Sequence, residues 1–177
     1  MEMIGLEKFL PSARDTWRWE LAQVADIWPI VAFSKEIYQR EVDQLFTPDT
    51  ARFAHHIHLA IVDQIYELRK QQIIVAKNKT TNELMAWAWL ARGSYTTYAP
   101  EEMAEAKFVH IDLKLPTRTR ITLTAQILHQ WQIWCQLSGV PILVSTSIRS
   151  DQDTFMRLHE QAGFSVRGSY AYKKITL

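Results

Sequence analysis

Apolar residues recur at helical spacing through the first third of the chain. Such positions are Val24, Ile27, Trp28, Val31, Tyr38, Val42 and Leu45. They predict a first helix over about 28–46. Thr47 then supplies an N-cap and Pro48 a first helical position for a second helix, whose stripe is Phe53, Ile57, Ile61, Ile65 and Leu68. Residues 1–22 show no clear period, so we expect 1–26 to be an N-terminal segment packed on the surface of the domain.

The period changes to two in the middle of the chain. The runs "QQIIVAKN" and "ELMAWAWLARG", separated by the polar "KTTN", predict an antiparallel hairpin. A longer connection over 94–106 is expected next. The run "KFVHIDLKL" then alternates strictly and predicts a strand that Pro116 ends. One of its faces carries Val109, Ile111, Leu113 and Leu115, and the other carries Phe108, His110, Asp112 and Lys114.

The last third predicts two helices and two or three strands. A long amphipathic helix closes at Ser138 and Gly139, and its apolar positions are Ile127, Leu128, Trp131, Trp134 and Cys135. The run "PILVSTSI" predicts a buried strand, Ser150 caps a helix that Gly163 ends, and "FSVRGSYAYKKI" closes the chain as one or two strands. The order α, α, β, β, β, α, β, α, β indicates an α+β fold with helices on both faces of a sheet.

Composition narrows the class of protein. A chain of 177 residues with 47% hydrophobic content predicts one domain over 1–177. Lys plus Arg is 20 against 19 for Asp plus Glu, so a nucleic-acid partner held by bulk charge is not expected. The lone Cys135 excludes an internal disulfide and fits a reducing compartment, and no stretch approaches the ~20 apolar residues of a bilayer span. We therefore expect a cytoplasmic protein with no membrane partner.

The order of elements resembles the GNAT-type N-acetyltransferase superfamily over roughly residues 27–175. The resemblance lies in an apolar strand, the loop that follows Pro116, a long helix, a buried strand and a later helix ending "LHEQAGF". In that family a strand, a loop written Q/R-x-x-G-x-G/A and the following helix bind the pyrophosphate of acetyl-coenzyme A. The later helix carries an Asn near its start and ends L-Y-x-K-x-G-F, with the Tyr often the general acid. The resemblance implies a mixed, mostly antiparallel central sheet and acetyl-coenzyme A as co-substrate.

The match differs between the two motifs. In the later helix Gln152 stands at the Asn position, Leu158 and the Gly163–Phe164 pair are as expected, and His159 replaces the Tyr. The resemblance thus implies His159 as the general acid. In the loop, the usual glycine positions fall on Arg120, Thr122 and Thr124, so no glycine remains there.

A helix start without glycine can still bind an anion. Its first amides are unpaired, threonine hydroxyls donate to phosphate oxygens, and arginine does so bidentately. The resemblance adds residues of the preceding strand and of the later helix to those of the helix start. The cofactor-binding candidates are therefore Leu113, Leu115, Arg118, Arg120, Thr122, Thr124 and Gln152. The alternative is that Thr117 or Thr119 only caps the helix and the arginines are solvated.

Two further groups of residues are candidates for chemistry. His110 and Asp112 lie two apart on the predicted strand, so they share a face and either one could orient or deprotonate an amine. The alternative is a buried histidine satisfied by a neighbour and an Asp capping a strand end. In "HHIH", His55 and His58 face one way with no carboxylate or Cys to complete a ligand set, so no metal is expected. They could touch substrate, with Trp87 and Trp89 as pocket walls or simply as core.

Two functions remain open at this point. The first is an N-acetyltransferase that moves an acetyl group from acetyl-coenzyme A to a small-molecule or peptide amine. The second is a protein of the same fold that has lost cofactor binding and serves as a binding or structural module, which the missing glycines favour. Dimers are common in the family, so a homodimer is an open alternative, whereas the near-zero net charge disfavours a nucleic-acid substrate.

Overall fold

The computed structural model describes residues 9–41, 47–146 and 153–167. This part of the chain holds five strands: β1 (Trp17–Leu21), β2 (Gln71–Asn78), β3 (Leu84–Tyr95), β4 (Glu102–Ile111) and β5 (Ile142–Val144). It also holds four α-helices: α1 (Ile27–Glu41), α2 (Thr50–Tyr66), α3 (Thr117–Ser138) and α4 (Asp153–Gln161). A 3-10 turn over Val24–Asp26 leads into α1.

The strands form one sheet in the order β1-β2-β3-β4-β5. The first three pairings are antiparallel, and β4 pairs with β5 in parallel. The predicted α+β fold with a mixed, mostly antiparallel sheet is therefore confirmed. The predicted hairpin is confirmed as well, since β2 and β3 are its two strands.

Helices cover both faces of this sheet, as predicted. Alternate residues of a strand point to opposite faces, so Ile73 and Ile74 of β2 belong to different cores. On one face α1 and α2 pack over a core that includes Ile30, Ile57, Ile61, Ile73, Val75 and Trp87. On the other face α3 packs over a core that includes Ile74, Ala88, Leu90, Leu128 and Trp131. Strand β4 lies between the two cores.

The start of α2 differs from the prediction. Asp49, and not Thr47, is the N-cap, because its carboxylate accepts a hydrogen bond from the Arg52 amide at 2.9 Å. Pro48 therefore precedes the helix instead of opening it. The first helix ends among described residues at Glu41, and the predicted end at 46 lies outside them.

One strand was missed. Residues 17–21 of the segment expected to pack on the surface are β1, an edge strand that pairs with β2 from Trp17↔Asn78 to Leu21↔Ile74. Its five residues, WRWEL, alternate apolar and polar side chains, but so short a run next to turn-forming residues was not recognised as a strand.

The predicted bounds of β4 were wrong at both ends. The strand begins at Glu102, so the expected connection over 94–106 shrinks to the loop between Tyr95 and Glu102. It ends at Ile111, because Asp112 starts a turn in which its backbone carbonyl accepts from the Leu115 amide at 3.2 Å. Leu113 and Leu115 therefore lie in a turn and not on a strand.

The end of the long helix was predicted correctly, but its start was not, because α3 begins at Thr117 and includes Arg120, Thr122 and Thr124, which were expected in the loop before it. α3 ends at Ser138, and Gly139 follows in the left-handed region at φ 71°, a conformation that favours glycine. β5 is less buried than expected, since Ile142 is exposed and its two neighbours are half-buried. The predicted Ser150 cap and all but the first residues of the closing strands lie outside the described residues.

A buried glutamine ties β1 to α3. Gln126 is fully buried, and its side-chain oxygen accepts from the indole nitrogens of Trp17 at 2.9 Å and Trp19 at 2.6 Å. Its side-chain nitrogen donates to the Asp15 carboxylate at 2.9 Å. One amide thus satisfies three polar groups that the packing of β1 against α3 takes out of water.

Replacing Gln126 by Met keeps a similar side-chain volume but removes both the hydrogen-bond acceptor and the donor of the amide. Two indole N–H groups then lose their acceptor, so we expect the free energy of unfolding to fall by about 2–4 kcal/mol. Urea denaturation measures this loss. Gln136→Met, at an exposed position of the same helix, is the control and should stay within about 0.5 kcal/mol of wild type. Equal stability of the two variants would contradict the assigned role of the network.

Candidate functional site

Strands β4 and β5 are paired along only part of their length. The pairs run from Met103↔Ile142 to Glu105↔Val144, where the described strand β5 ends. Beyond Glu105, one edge of β4 therefore has no strand beside it among the described residues. The open edge, residues 106–111, leads to the Asp112–Pro116 turn and the start of α3. This unpaired edge of β4 thus leads to a helix N-terminus.

The first turn of α3 has free amides. Pro116 is the N-cap and makes no side-chain capping bond, and the helical hydrogen bonds begin with the Arg120 amide to the Pro116 carbonyl at 3.1 Å. Among the described residues the amides of Thr117, Arg118 and Thr119 have no hydrogen-bond partner. The alternative that a threonine caps the helix is wrong. These three N–H groups and the positive end of the helix dipole are suited to an anion.

The two predicted arginines lie in this first turn. Arg118 is exposed to solvent. Arg120 is half-buried and donates from Nη2 to the Thr117 hydroxyl at 3.2 Å. Its Nε is buried and has no partner among the described residues, so the guanidinium keeps an unused donor beside the free amides.

Thr122 and Thr124 do not offer donors here. The Thr122 hydroxyl donates to the Arg118 carbonyl at 3.0 Å, and the Thr124 hydroxyl donates to the Arg120 carbonyl at 2.9 Å. Both residues lie inside α3, where such bonds to the preceding turn use the hydroxyl hydrogen. The loss of glycine adds no backbone strain at these positions. The one non-glycine residue with positive φ among the described residues is Asn82, far from this turn in sequence.

The other predicted cofactor residues are placed less favourably or not described. Leu113 and Leu115 are half-buried in the turn, and Leu115 packs against the core near Leu123. Gln152 lies outside the described residues. The first turn of α3 is therefore the part of the predicted cofactor site that the structure brings together.

Asp112 lies one residue beyond β4, where its amide still donates to the Met85 carbonyl of β3 at 2.9 Å, and the face it was expected to share with His110 stays a prediction. Asp112 follows the end of β4, and its carboxylate accepts from the Lys114 amide at 2.9 Å, which holds the turn. His110 is 3% exposed on the α1–α2 face of β4. Its ring meets those of Trp87 and Phe108 edge-on, at centroid distances of 5.5 and 5.6 Å.

His159 is held by two hydrogen bonds in a buried position. It is 1% exposed; its Nδ1 lies 2.8 Å from the Phe155 carbonyl, and its Nε2 lies 2.8 Å from the Ser145 hydroxyl. A carbonyl only accepts, so Nδ1 carries the hydrogen and Nε2 of the neutral ring accepts the Ser145 O–H. Burial lowers the pKa of His159 below its usual 6.5, which favours this neutral form.

Ser145 is the residue that sequence reasoning missed. It directly follows Val144, which pairs with Glu105, so it stands at the level of Ala106 where the open edge of β4 begins. His159 therefore contacts the residue that follows β5 through the Ser145 hydroxyl. No spacing in the sequence indicates this pair, because a strand end and a helix meet only in the fold.

A cavity of about 260 Å³ lies on the face of β4 that α1 and α2 cover, between α1 and the first turn of α2. Of the three histidines in "HHIH", His56 lines this cavity, whereas His55 and His58 do not. Trp87 is fully buried behind Phe108, so it supports the wall of the cavity without lining it.

Neither a metal centre nor a membrane span is found in the part of the chain that the structure describes. No three or more His, Cys, Asp or Glu side chains in residues 9–41, 47–146 and 153–167 are grouped so as to hold a metal ion. Within the same ranges, every helix is too short or too polar to cross a bilayer.

Solved structures resemble this chain closely in fold. The aminoglycoside 6'-N-acetyltransferase AAC(6')-Ih of Acinetobacter baumannii aligns over 91% of this chain and 99% of its own, with a TM-score of 0.65 and 13% identity. A predicted acetyltransferase of Clostridium acetobutylicum, in a structure with acetyl-coenzyme A, covers 89% of this chain and 96% of its own at a TM-score of 0.66 and 11% identity.

A third example is glucosamine-6-phosphate N-acetyltransferase of Arabidopsis thaliana, which covers 92% of this chain and 100% of its own at a TM-score of 0.59 and 13% identity. No protein-family model matches the sequence, and neither does any curated protein sequence. At these identities the likeness establishes the fold. The chain therefore has the GNAT-type acetyltransferase fold, as the sequence predicted.

The buried state of His159 predicts how stability depends on pH. The folded pKa lies below that of the unfolded chain, so the unfolded state binds more protons once the pH falls below about 6.5. We expect the free energy of unfolding to decrease between pH 7.5 and 5.0, with His159 contributing at most about 1.4 kcal/mol per pH unit. His159→Gln should flatten this slope in urea titrations. His55→Gln, on an exposed part of α2, should keep the wild-type slope, and a steep slope in His159→Gln would contradict the assignment.

Proposed function

We propose that this protein is an N-acetyltransferase that transfers an acetyl group from acetyl-coenzyme A to an amine. The observation that carries the proposal is the set of three unpartnered amides, Thr117 to Thr119, at the point where the open edge of β4 meets α3. A helix start with free N–H groups binds phosphate without help from glycine. A structure of the same fold contains acetyl-coenzyme A.

The first turn of α3 would hold the diphosphate. The amides of residues 117–119 supply three donors, and the guanidinium of the half-buried Arg120 lies at the Thr117 hydroxyl. Arg118 adds a solvated positive charge beside them. Because the net charge of the chain is only +1, this local concentration of donors, and not a general basic surface, would select the anion.

The open edge of β4 would hold the rest of the cofactor. Backbone groups on the outer side of residues 106–111 have no strand beside them among the described residues, so they are suited to pair with an extended amide-bearing arm. The six residues from Ala106 to Ile111 span about 16 Å at the usual rise of a strand. This length separates the diphosphate at the helix start from Ser145 at the other end of the open edge.

Ser145 and His159 would move the proton. When bound, acetyl-coenzyme A supplies the acetyl group as a thioester. While the amine nitrogen bonds to the acetyl carbon, Ser145 Oγ accepts an amine proton and passes its own to His159 Nε2. When the C–S bond breaks, the pair returns one proton to the sulfur. The amine thus loses one hydrogen, the thiol gains one, and no other reactant is needed.

The competing proposal is a binding or structural module without cofactor. One observation favours it: Arg120, Thr122 and Thr124 carry side chains where the family usually has glycine, and each Cβ takes space near the helix start. Against it, the backbone here has ordinary negative φ and the three amides stay free. The acceptor in the neighbours ranges from aminoglycosides to glucosamine-6-phosphate, so the amine class is argued from this chain alone.

Calorimetry with coenzyme A tests the diphosphate site. We expect Arg118→Ala and Arg120→Ala each to raise the Kd for coenzyme A by about 3- to 10-fold, because a charge-assisted contact is lost from a partly solvated site. Pantetheine, which lacks the diphosphate, should bind all variants alike.

The control for this experiment is Arg69→Ala. Arg69 is exposed next to Leu68, whose carbonyl accepts from the Trp134 indole, about 25 Å along α3 from Thr117. This substitution should leave the Kd unchanged. Absence of heat with the wild-type chain at millimolar coenzyme A would exclude the transferase and leave the module as the function.

Removing the Ser145 hydroxyl tests the proton path. We expect Ser145→Ala to lower kcat for thiol release from acetyl-coenzyme A by about 100-fold, while the Kd for coenzyme A stays unchanged. The loss follows because, among the described residues, the Ser145 hydroxyl is the group bonded to Nε2 of His159, which is itself 1% exposed. Thr146→Ala, at the exposed next position, is the matched control and should keep full kcat. Full activity in Ser145→Ala would remove the pair from the mechanism.

A further inference from the structure

The cavity on the α1–α2 face of β4 is built differently from the open edge. Its floor is Phe108 and His110 of β4, one side is Phe53 and His56 of α2, and Tyr38 of α1 also lines it. Phe108 and His110 belong to the stretch 106–111 of β4, whose backbone edge is open. A molecule in this cavity would therefore lie beside the stretch of β4 along which the cofactor is proposed to bind.

Aromatic rings form a supported wall. The Phe108 ring is stacked on Trp87 with centroids 5.4 Å apart and 24° between planes, and on Trp89 at 6.1 Å and 16°. The Phe53 ring is tilted against Phe108 at 5.3 Å. The Trp87 indole is itself fixed, because its nitrogen donates to the Ser34 hydroxyl at 2.8 Å. Such a rigid wall favours a flat, aromatic ligand.

The size of the cavity limits the ligand. A volume of about 260 Å³ lies below the ~300–1,000 Å³ of sites for drug-sized molecules and above the ~150 Å³ cavity that takes one benzene ring. One ring with a short polar side chain fits this space. A molecule of several sugar rings would extend well beyond it.

Charge at the mouth of the cavity favours an anionic group on the ligand. Among the described residues that line it, two are cations, Lys35 and Arg52, and one is a carboxylate, Asp49. Neither cation forms an ion pair with a described carboxylate, whereas Asp49 already accepts the Arg52 amide as the cap of α2. A polycationic acceptor would meet repulsion here, while a carboxylate would meet two available cations.

We infer that this cavity binds a small aromatic primary amine that carries a carboxylate, with the ring on Phe108 and Phe53 and the carboxylate at Lys35 and Arg52. The same molecule is the acetyl acceptor, a statement that rests on the proposed transferase function. The acceptor class thus differs from that of the structural neighbours that act on aminoglycosides.

Binding without any cofactor tests the ligand class. Three probes separate ring and charge: phenylalanine, 2-phenylethylamine, which lacks the carboxylate, and the aminoglycoside kanamycin. Quenching of tryptophan fluorescence and calorimetry should show phenylalanine binding at least about 5-fold more tightly than 2-phenylethylamine, as expected for one partly solvated charge contact. Kanamycin should not bind.

Surface variants keep the test independent of folding. Lys35→Gln and Arg52→Gln change exposed side chains, so the core should stay intact. Each should weaken phenylalanine about 3- to 5-fold and leave 2-phenylethylamine unchanged. Arg69→Gln is the control and should alter neither. Tighter binding of 2-phenylethylamine or kanamycin, or no binding of either aromatic probe, would overturn the inference.

An acetylation assay separates this inference from the proposed function. Acetylation of phenylalanine supports both. If coenzyme A and phenylalanine both bind but phenylalanine is not acetylated, the acceptor assignment is overturned. If coenzyme A does not bind, the transferase proposal and the acceptor assignment fail together, and the cofactor-free titrations alone decide whether the cavity takes the proposed ligand class.

Discussion

Pro116 sets the point where β4 gives way to α3. Its ring fixes φ near the observed −54°, and it brings no N–H of its own and no side chain able to cap the helix. The next three amides therefore remain unpaired at the end of a strand whose edge is open. Under the proposed function, the diphosphate site, the run of the cofactor along β4 and the position of the thioester near Ser145 would all depend on that uncapped helix start.

Sequence periodicity predicted the parts of the fold that repeat over many residues. The β2–β3 hairpin and the end of α3 at Ser138 follow from alternation and from Gly139. The end of β4 did not, because the apolar alternation continues through Leu115 while the hydrogen bonds of Asp112 already close a turn. Pattern alone does not separate a strand from a turn that happens to alternate.

The candidate site was predictable where it is local in sequence and not where it is formed by tertiary contacts. A helix start near the arginines was predicted from the proline and the helix pattern, although the sequence placed a turn over residues 117–124 where α3 has already begun. The contact of His159 with Ser145 joins two elements, and the histidine of "HHIH" that faces the cavity is set by how α2 packs on β4. Both depend on the packing of distant segments, which one sequence without relatives does not reveal.

Burial also changes what a histidine can do at the position where the family usually has a tyrosine. A tyrosine, with a pKa near 10, carries its proton at neutral pH and can give it to a thiolate at once. His159 is neutral, its Nδ1 hydrogen is committed to the Phe155 carbonyl, and only its empty Nε2 faces Ser145. Under the proposed function this residue must accept a proton before it can return one. The substitution would therefore link removal of the amine proton and protonation of the sulfur in a single pair of residues, which a tyrosine donor leaves to separate groups.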